Sequence, residues 1–225
     1  MKTTFIASGD SFATRRIPAE YPGGKELQQL ILSHDVSFNN LEVTCHEEEG
    51  YPSAFSGGTW AMTDPVFLDD LRGMGFNLYN TANNHACDFC HGGLLATARH
   101  LKDRAMIFAG TGKNLTEASR AAYLDTGSCR VALIGVTSDF HDSDLAGEQS
   151  PQMCGRPGVN GLRVDTVYHV TQDYFSTLKS LVQETNMNAY ADYGVKLGYV
   201  TPLPEDILSV NGMKFQKSSC GTCRI

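Results

Sequence analysis

Residues 80–93 read NTANNHACDFCHGG and offer three different chemistries in one short stretch. Cys87, Cys90 and His91 spell C-x-x-C-H, the pattern of covalent haem attachment. His85, Cys87, Cys90 and His91 together offer the nitrogen and sulfur donors of a zinc site. Asn84 followed by His85, at the end of an apolar run, fits instead the loop of a metal-dependent phosphoesterase, where amide oxygen and imidazole meet a hard cation.

The rest of the chain weighs against the first two. Haem attachment needs thiols kept reduced during export, and the opening MKTTFIASGD is too short and too polar for a signal peptide. The motif also falls between a strand and a helix, where a haem would collide with sheet packing. A structural zinc site draws four ligands from closely spaced hooks, but the second pair, Cys220 and Cys223 in CGTC, lies more than a hundred residues further on. Small residues in a loop or a first helical turn account for both cysteine pairs more simply.

The third reading finds oxygen donors elsewhere. Asp10 follows the apolar run TTFIAS, and Glu42 ends DVSFNNLE. With Asn84 they supply the carboxylate and amide oxygens that a pair of hard divalent cations requires, and His85 is placed to protonate a leaving group or hold an anionic substrate. Each residue also has a plainer use. Asp10 after Gly9 suits a turn or cap, Glu42 a solvated strand end, Asn84 a left-handed turn, and His85 a hydrogen-bonded structural role. Their common position, at successive strand ends, favours the functional use.

The elements that would position them alternate along the chain. Strands are expected at 3–8 (buried), 35–42, 76–82 and 106–110, and helices at 25–32, 64–75 and 92–105, from apolar spacing and from Asp-Pro and Gly punctuation. AAYLDT and CRVALIGVTS read as paired strands around Gly127-Ser128. A Gly/Pro-rich connection follows Asp139, then a helix over 166–185, then a tail with little to nucleate a core. The first 140 residues thus read as sequential β-α-β units, and in such sheets ligands sit beyond the carboxyl ends of the strands. The expected organisation is a single domain over 1–225, with 140–225 as connection, one helix and a weakly ordered tail.

Composition bounds the function. Hydrophobic residues make up 41% of the 225 and charged residues 19%, so a folded core is expected. Twenty-five acidic against eighteen basic residues give a net charge of −7, with no Lys/Arg run, which argues against a nucleic-acid partner. No stretch approaches a membrane span, so a cytoplasmic location is expected. The seven cysteines are expected to be mostly reduced.

Taken in order, SGDSF, NNLEVT, ANNHACD with GGLLATARHL, and GTGKNLTEAS resemble the CapA-type, poly-γ-glutamate capsule synthesis family, from about residue 4 to about residue 215. FSGGTWAMTDPVFLDDLRGMGFNLYNTANNH and AGEQSPQMCGRPGVNGLR resemble its longer members. The resemblance implies an α/β fold similar to calcineurin-like metallophosphatases, a layered α/β/β/α sandwich with a divalent metal (Mn, Mg, Fe or Zn) held between loops. It makes Asp10 the first metal-binding acid, Glu42 the second, and Asn84 with His85 the Asn-His pair. Asp88 matches the acid of ANNH-x-x-D, orienting His85 or capping the next helix. An anionic small-molecule or polymer substrate is implied.

One feature of the family is missing from this sequence: a histidine-bearing strand and a G-H-x-P-H-like motif that complete the metal site. No histidine follows His169, which falls in the expected helix. The sequence is therefore expected to be the N-terminal portion of a longer protein. Metal binding is expected to be weak or absent, with a sheet edge left for the missing half or another chain to complete. Three functions follow: a metal-dependent phosphoesterase-like capsule-synthesis protein, a non-catalytic accessory or interaction domain, and a C-x-x-C metal or redox protein.

Overall fold

A computed structural model describes residues 2–18 and 20–218. In chain order, β1 (Phe5–Ser11) leads through α1 (Gly24–Leu32) to β2 (Val36–Leu41). The short β3 (Thr44–Cys45) and β4 (Met62–Thr63) flank a long loop that precedes α2 (Val66–Gly73) and β5 (Leu78–Asn80). Next come α3 (Cys90–Asp103), β6 (Phe108–Ala109), β7 (Thr111–Gly112) and α4 (Leu115–Ala118). The pair β8 (Ala122–Asp125) and β9 (Arg130–Leu133) and the strand β10 (Gly158–Val159) follow.

β1, β2, β5 and β6 form a parallel sheet in that order. Because neighbours in the sheet follow one another along the α/β series, right-handed crossovers lay the intervening helices on one face. Ile31 of α1, Phe67, Leu68 and Leu71 of α2 and Leu101 of α3 accordingly share one buried cluster with Leu41 and Tyr79. Local chemistry starts α2: Asp64 accepts the Val66 N–H at 2.8 Å, satisfying one of the donors that a helix start leaves open. The architecture is mixed α/β with a parallel sheet and helices, consistent with a metallophosphatase-like fold. β8 and β9 pair antiparallel, as the sequence pattern predicts.

Two local expectations change. The apolar run at 3–8 predicts a buried strand, but β1 extends to Ser11 and five of its seven residues are exposed. Among the described strands it pairs only with β2, so it lies at the sheet edge. Its pairing shifts register between Ala7 and Asp10. The helical spacing at 166–185 predicts one continuous helix. Instead, β11 (Val167–Val170) is followed by α5 (Gln172–Thr185). Thr171 stays extended and its side chain accepts the Tyr174 N–H, so the helix starts only there, and His169 is a strand residue.

Chain contacts divide the protein between Arg163 and Val164 into two compact units. The second has its own sheet. After α5 come α6 (Ala189–Lys196), β12 (Ile207–Val210) and β13 (Met213–Lys217), and the strand order is β11-β13-β12. Asn211 and Gly212, both at positive φ, turn β12 back onto β13, the geometry Asn-Gly supplies at low cost. α5 buries Phe175 and Val182. Among the described residues no helix is long and apolar enough to cross a membrane.

Candidate functional site

The carboxyl ends of β1, β2 and β5 carry a row of polar side chains in register. Asn40 pairs with Asp10 on one side and with Asn80 on the other. Asn80 Nδ2 donates to Asn40 Oδ1 at 2.7 Å, and Asn40 Nδ2 donates to Asp10 Oδ1 at 2.7 Å. This amide relay fixes the Asp10 carboxylate from beneath, although Asp10 itself is exposed. Neither asparagine stands out in the sequence. The signal was their position: each is the strand residue opposite the acid once the three strands are aligned in parallel.

Glu42 follows β2 directly, and its N–H donates to Ser11 O at 3.2 Å, tying the two acid-bearing strand ends together. Partial burial, then the adjacent Asp10 carboxyl through a hydrogen bond and through its charge, push Glu42 above its ordinary carboxylate range; the nearby His85 imidazole opposes this. Asp10, Glu42 and His85 are therefore electrostatic neighbours. Two carboxyl groups side by side are the donor type a hard divalent cation takes, and the pressure of Asp10 on Glu42 is what a cation between them would relieve.

The loop after β5 supplies the imidazole. Asn83 holds it down: its Nδ2 donates to Leu41 O at 2.8 Å and its Oδ1 accepts the His85 N–H at 3.1 Å. His85 is 7% exposed and lies with its ring centroid 4.8 Å from that of Phe12. His85 Nδ1 is 2.8 Å from Asp88 Oδ2. Asp88 is buried and accepts two backbone donors as well, Gly57 N–H on Oδ1 and Ala61 N–H on Oδ2, each at 3.0 Å. A carboxylate so held can only accept, so Nδ1 carries the proton and Nε2 is left for chemistry.

Asn84 is arranged differently. Its Nδ2 donates to Gly57 O at 2.8 Å, joining it to the 56–58 loop. Gly57 must be glycine for this approach, because a Cβ there would fall 2.7–2.8 Å from Asn84 atoms. Of the five residues singled out by sequence, His85 and Asp88 are hydrogen-bonded to each other, and Glu42 feels the Asp10 carboxyl and, more weakly, the His85 imidazole. Asn84 is adjacent in the chain and faces the 56–58 loop. Asn40, Asn80, Asn83, Phe12 and Gly57 are the positioning residues that sequence reasoning missed. Among the described residues, no group of three or more His, Cys, Asp or Glu is gathered to hold a metal by itself.

The cysteine motif separates in space. Cys87 is buried with Leu94 and Val159, its thiol donating to Asp144 O, and burial drives its pKa far up. Cys90 is exposed at the start of α3. A thiol so deeply buried and so reluctant to ionise is a poor metal or redox ligand. Cys220 and Cys223 lie outside the described residues.

Comparison with known proteins identifies the family. The uncharacterized proteins y4sH and y4uA of Sinorhizobium fredii are each 33% identical to the chain over 182 residues, 79% of this chain and 40% of each relative. The capsule biosynthesis protein CapA of Bacillus anthracis is 30% identical over 81 residues, 36% of this chain and 20% of CapA. The chain thus spans less than half the length of the curated relatives it matches. Residues 4–195 match the family described as bacterial capsule synthesis protein PGA_cap, and the chain belongs to that family.

Proposed function

We propose that this chain carries the phosphoester-cleaving site of a capsule-synthesis protein, acting on an anionic substrate. Asp10, Glu42 and the carboxamide oxygen of Asn84 would hold a divalent cation, and His85 moves the proton. The observation that carries the reading is the buried His85–Asp88 pair beside the Asp10–Glu42 carboxyls. Family membership and the partial likeness to CapA support the capsule role.

The residues divide the work as their partners dictate. The amide relay from Asn80 through Asn40 holds Asp10 against the neighbouring Glu42. Asp88, fixed by two N–H donors, holds His85 in one tautomer and stabilises the imidazolium that forms when Nε2 takes a proton from the water whose oxygen bonds to phosphorus as the ester P–O bond breaks. Nε2 then returns it to the departing alkoxide, the general-acid step. Phe12 covers one side of the ring and limits water there. A cation bound to the carboxyls would supply polarisation of the phosphoryl oxygen.

Hydrolysis of an alkyl and a nitrophenyl phosphodiester in manganese, by the wild type, Asp10→Ala and His85→Ala, tests the proposal. Loss in both variants is expected, with the His85 loss larger on the alkyl ester, whose leaving group needs the proton more. A chain that hydrolyses neither ester yet binds manganese through Asp10 and Glu42 would move the reading to an accessory role.

A further inference from the structure

Beside Asn84, a cavity of about 270 Å³ opens between the 56–58 loop and residues 139–141. Its walls are Ser56, Gly57, Gly58, Asn84, Asp139 and His141, with Phe140 behind. The volume is under the roughly 300–1,000 Å³ of drug-sized sites, so it admits one small group and not a run of polymer.

The two titratable walls are held from their backbones, leaving their side chains for a ligand. Asp139 N–H donates to Thr137 Oγ1 at 3.2 Å, and the same hydroxyl donates to Asp139 O at 2.9 Å. Among the described residues the Asp139 carboxylate meets no donor or cation. His141 N–H donates to the Asp144 carboxylate at 2.9 Å, and the His141 ring stacks on Phe55 with centroids 4.7 Å apart and planes 30° off parallel. The imidazole is thus oriented by its neighbours before any ligand arrives.

The chemistry of the lining selects the guest. A carboxylate accepts only, and would repel a second anionic group. Its two oxygens match two adjacent hydroxyl donors. Ser56, the Asn84 carboxamide and the His141 ring nitrogens each donate or accept, as hydroxyl groups also do. The glycine pair 57–58 carries no side chain, so a guest can approach the backbone.

We propose that this cavity is the subsite for the uncharged part of the substrate, and that it takes a vicinal diol, held by Asp139 and His141. The proposal rests on the reading of Asp10, Glu42 and His85 as the phosphoryl centre: a phosphate there, with Asn84 shared by both sites, would direct its esterified group into the cavity. Glycerol and glycosyl esters share this chemistry.

Calorimetric titration of the full chain, in manganese, with glycerol 3-phosphate, glucose 1-phosphate and ethyl phosphate tests it. At least one polyol ester is expected to bind tenfold or more tightly than ethyl phosphate, and whichever shows the larger ratio identifies the source. Asp139→Ala should reduce that ratio below twofold and leave ethyl phosphate binding unchanged; His141→Ala should reduce it about threefold. Asp10→Ala should weaken all three esters alike. If the phosphoryl reading fails, ethyl phosphate does not bind and Asp10→Ala changes nothing, while polyol binding still depends on Asp139. Equal affinity for all three esters in the wild type, or a ratio that survives Asp139→Ala, overturns the diol subsite. Asp139 is exposed, and a thermal melt matching the wild type confirms that the variant is folded.

Discussion

His85 and His46 are both buried and both have an acid three residues on, yet the two pairs behave in opposite ways. His85 lies 2.8 Å from Asp88, and both are buried. His46 lies 3.9 Å from Glu49, and although it is only 1% exposed, neither of its ring nitrogens finds a hydrogen-bond partner among the described residues. Identical spacing therefore decides nothing; the acid's other commitments do. Asp88 is fixed by two backbone N–H groups that aim its remaining lone pair at the imidazole. Glu49 is drawn outward by the Glu47 N–H, Arg99 and His100, which outweigh the upward effect of its burial and hold its pKa at about 2. His46 lies edge-on to Phe89, and burial lowers its pKa.

The sharpest test of this contrast is activity. His85→Ala should lower phosphodiester turnover by about 10²–10⁴-fold, the usual worth of a positioned acid–base group. His46→Leu, at the same spacing from its acid, should leave turnover within about twofold. Comparable losses in both variants would break the distinction. Stability gives the next largest effect. Asp88→Ala removes the acceptor from the Gly57 and Ala61 N–H groups and from His85, and should cost about 3 kcal/mol in urea unfolding, since a stranded buried donor costs about 1–3 kcal/mol. Glu49→Ala, on the surface, should cost under about 1 kcal/mol.

The same contrast explains what was legible in the sequence. The β-α-β series was readable because apolar periodicity and Gly/Pro punctuation are local properties, and the acids at strand ends followed from it. Asn40 and Asn80 were not readable, because their role depends on parallel register, which no single strand encodes. Asn83 was likewise overshadowed by the Asn84-His85 pair beside it. In the second unit, VYHV was absorbed into the helix after it, although two β-branched residues ahead of a Thr cap are strand chemistry. The Asn211-Gly212 turn was a strong local hairpin signal. It went unread because its flanking strands, Ile207–Val210 and Met213–Lys217, are only half buried and alternate weakly.

The remaining prediction separates the pairs by pH. His46 has a folded pKa below its ordinary 6.5, so below that value the unfolded chain binds a proton that the folded chain resists. Stability must then fall as pH drops through about 6.5. Glu49 has a folded pKa of about 2 against an ordinary 4.5; the unfolded chain again takes up the proton first, and a second loss follows between about 4.5 and 2. Urea midpoints measured from pH 8 to pH 3 should therefore decline in two limbs. His46→Leu should abolish the upper limb and, by replacing an unpartnered buried imidazole with an apolar side chain, raise stability at pH 7 by up to about 1 kcal/mol. Glu49→Gln should shrink the lower limb, to which Asp35, Asp70, Glu117 and Asp125, also held below their ordinary carboxylate range, contribute, and leave the upper one. An upper limb that persists in His46→Leu would assign it to another group; its absence from the wild type would show that the imidazole has found a partner in solution, and the two pairs would then differ in degree only.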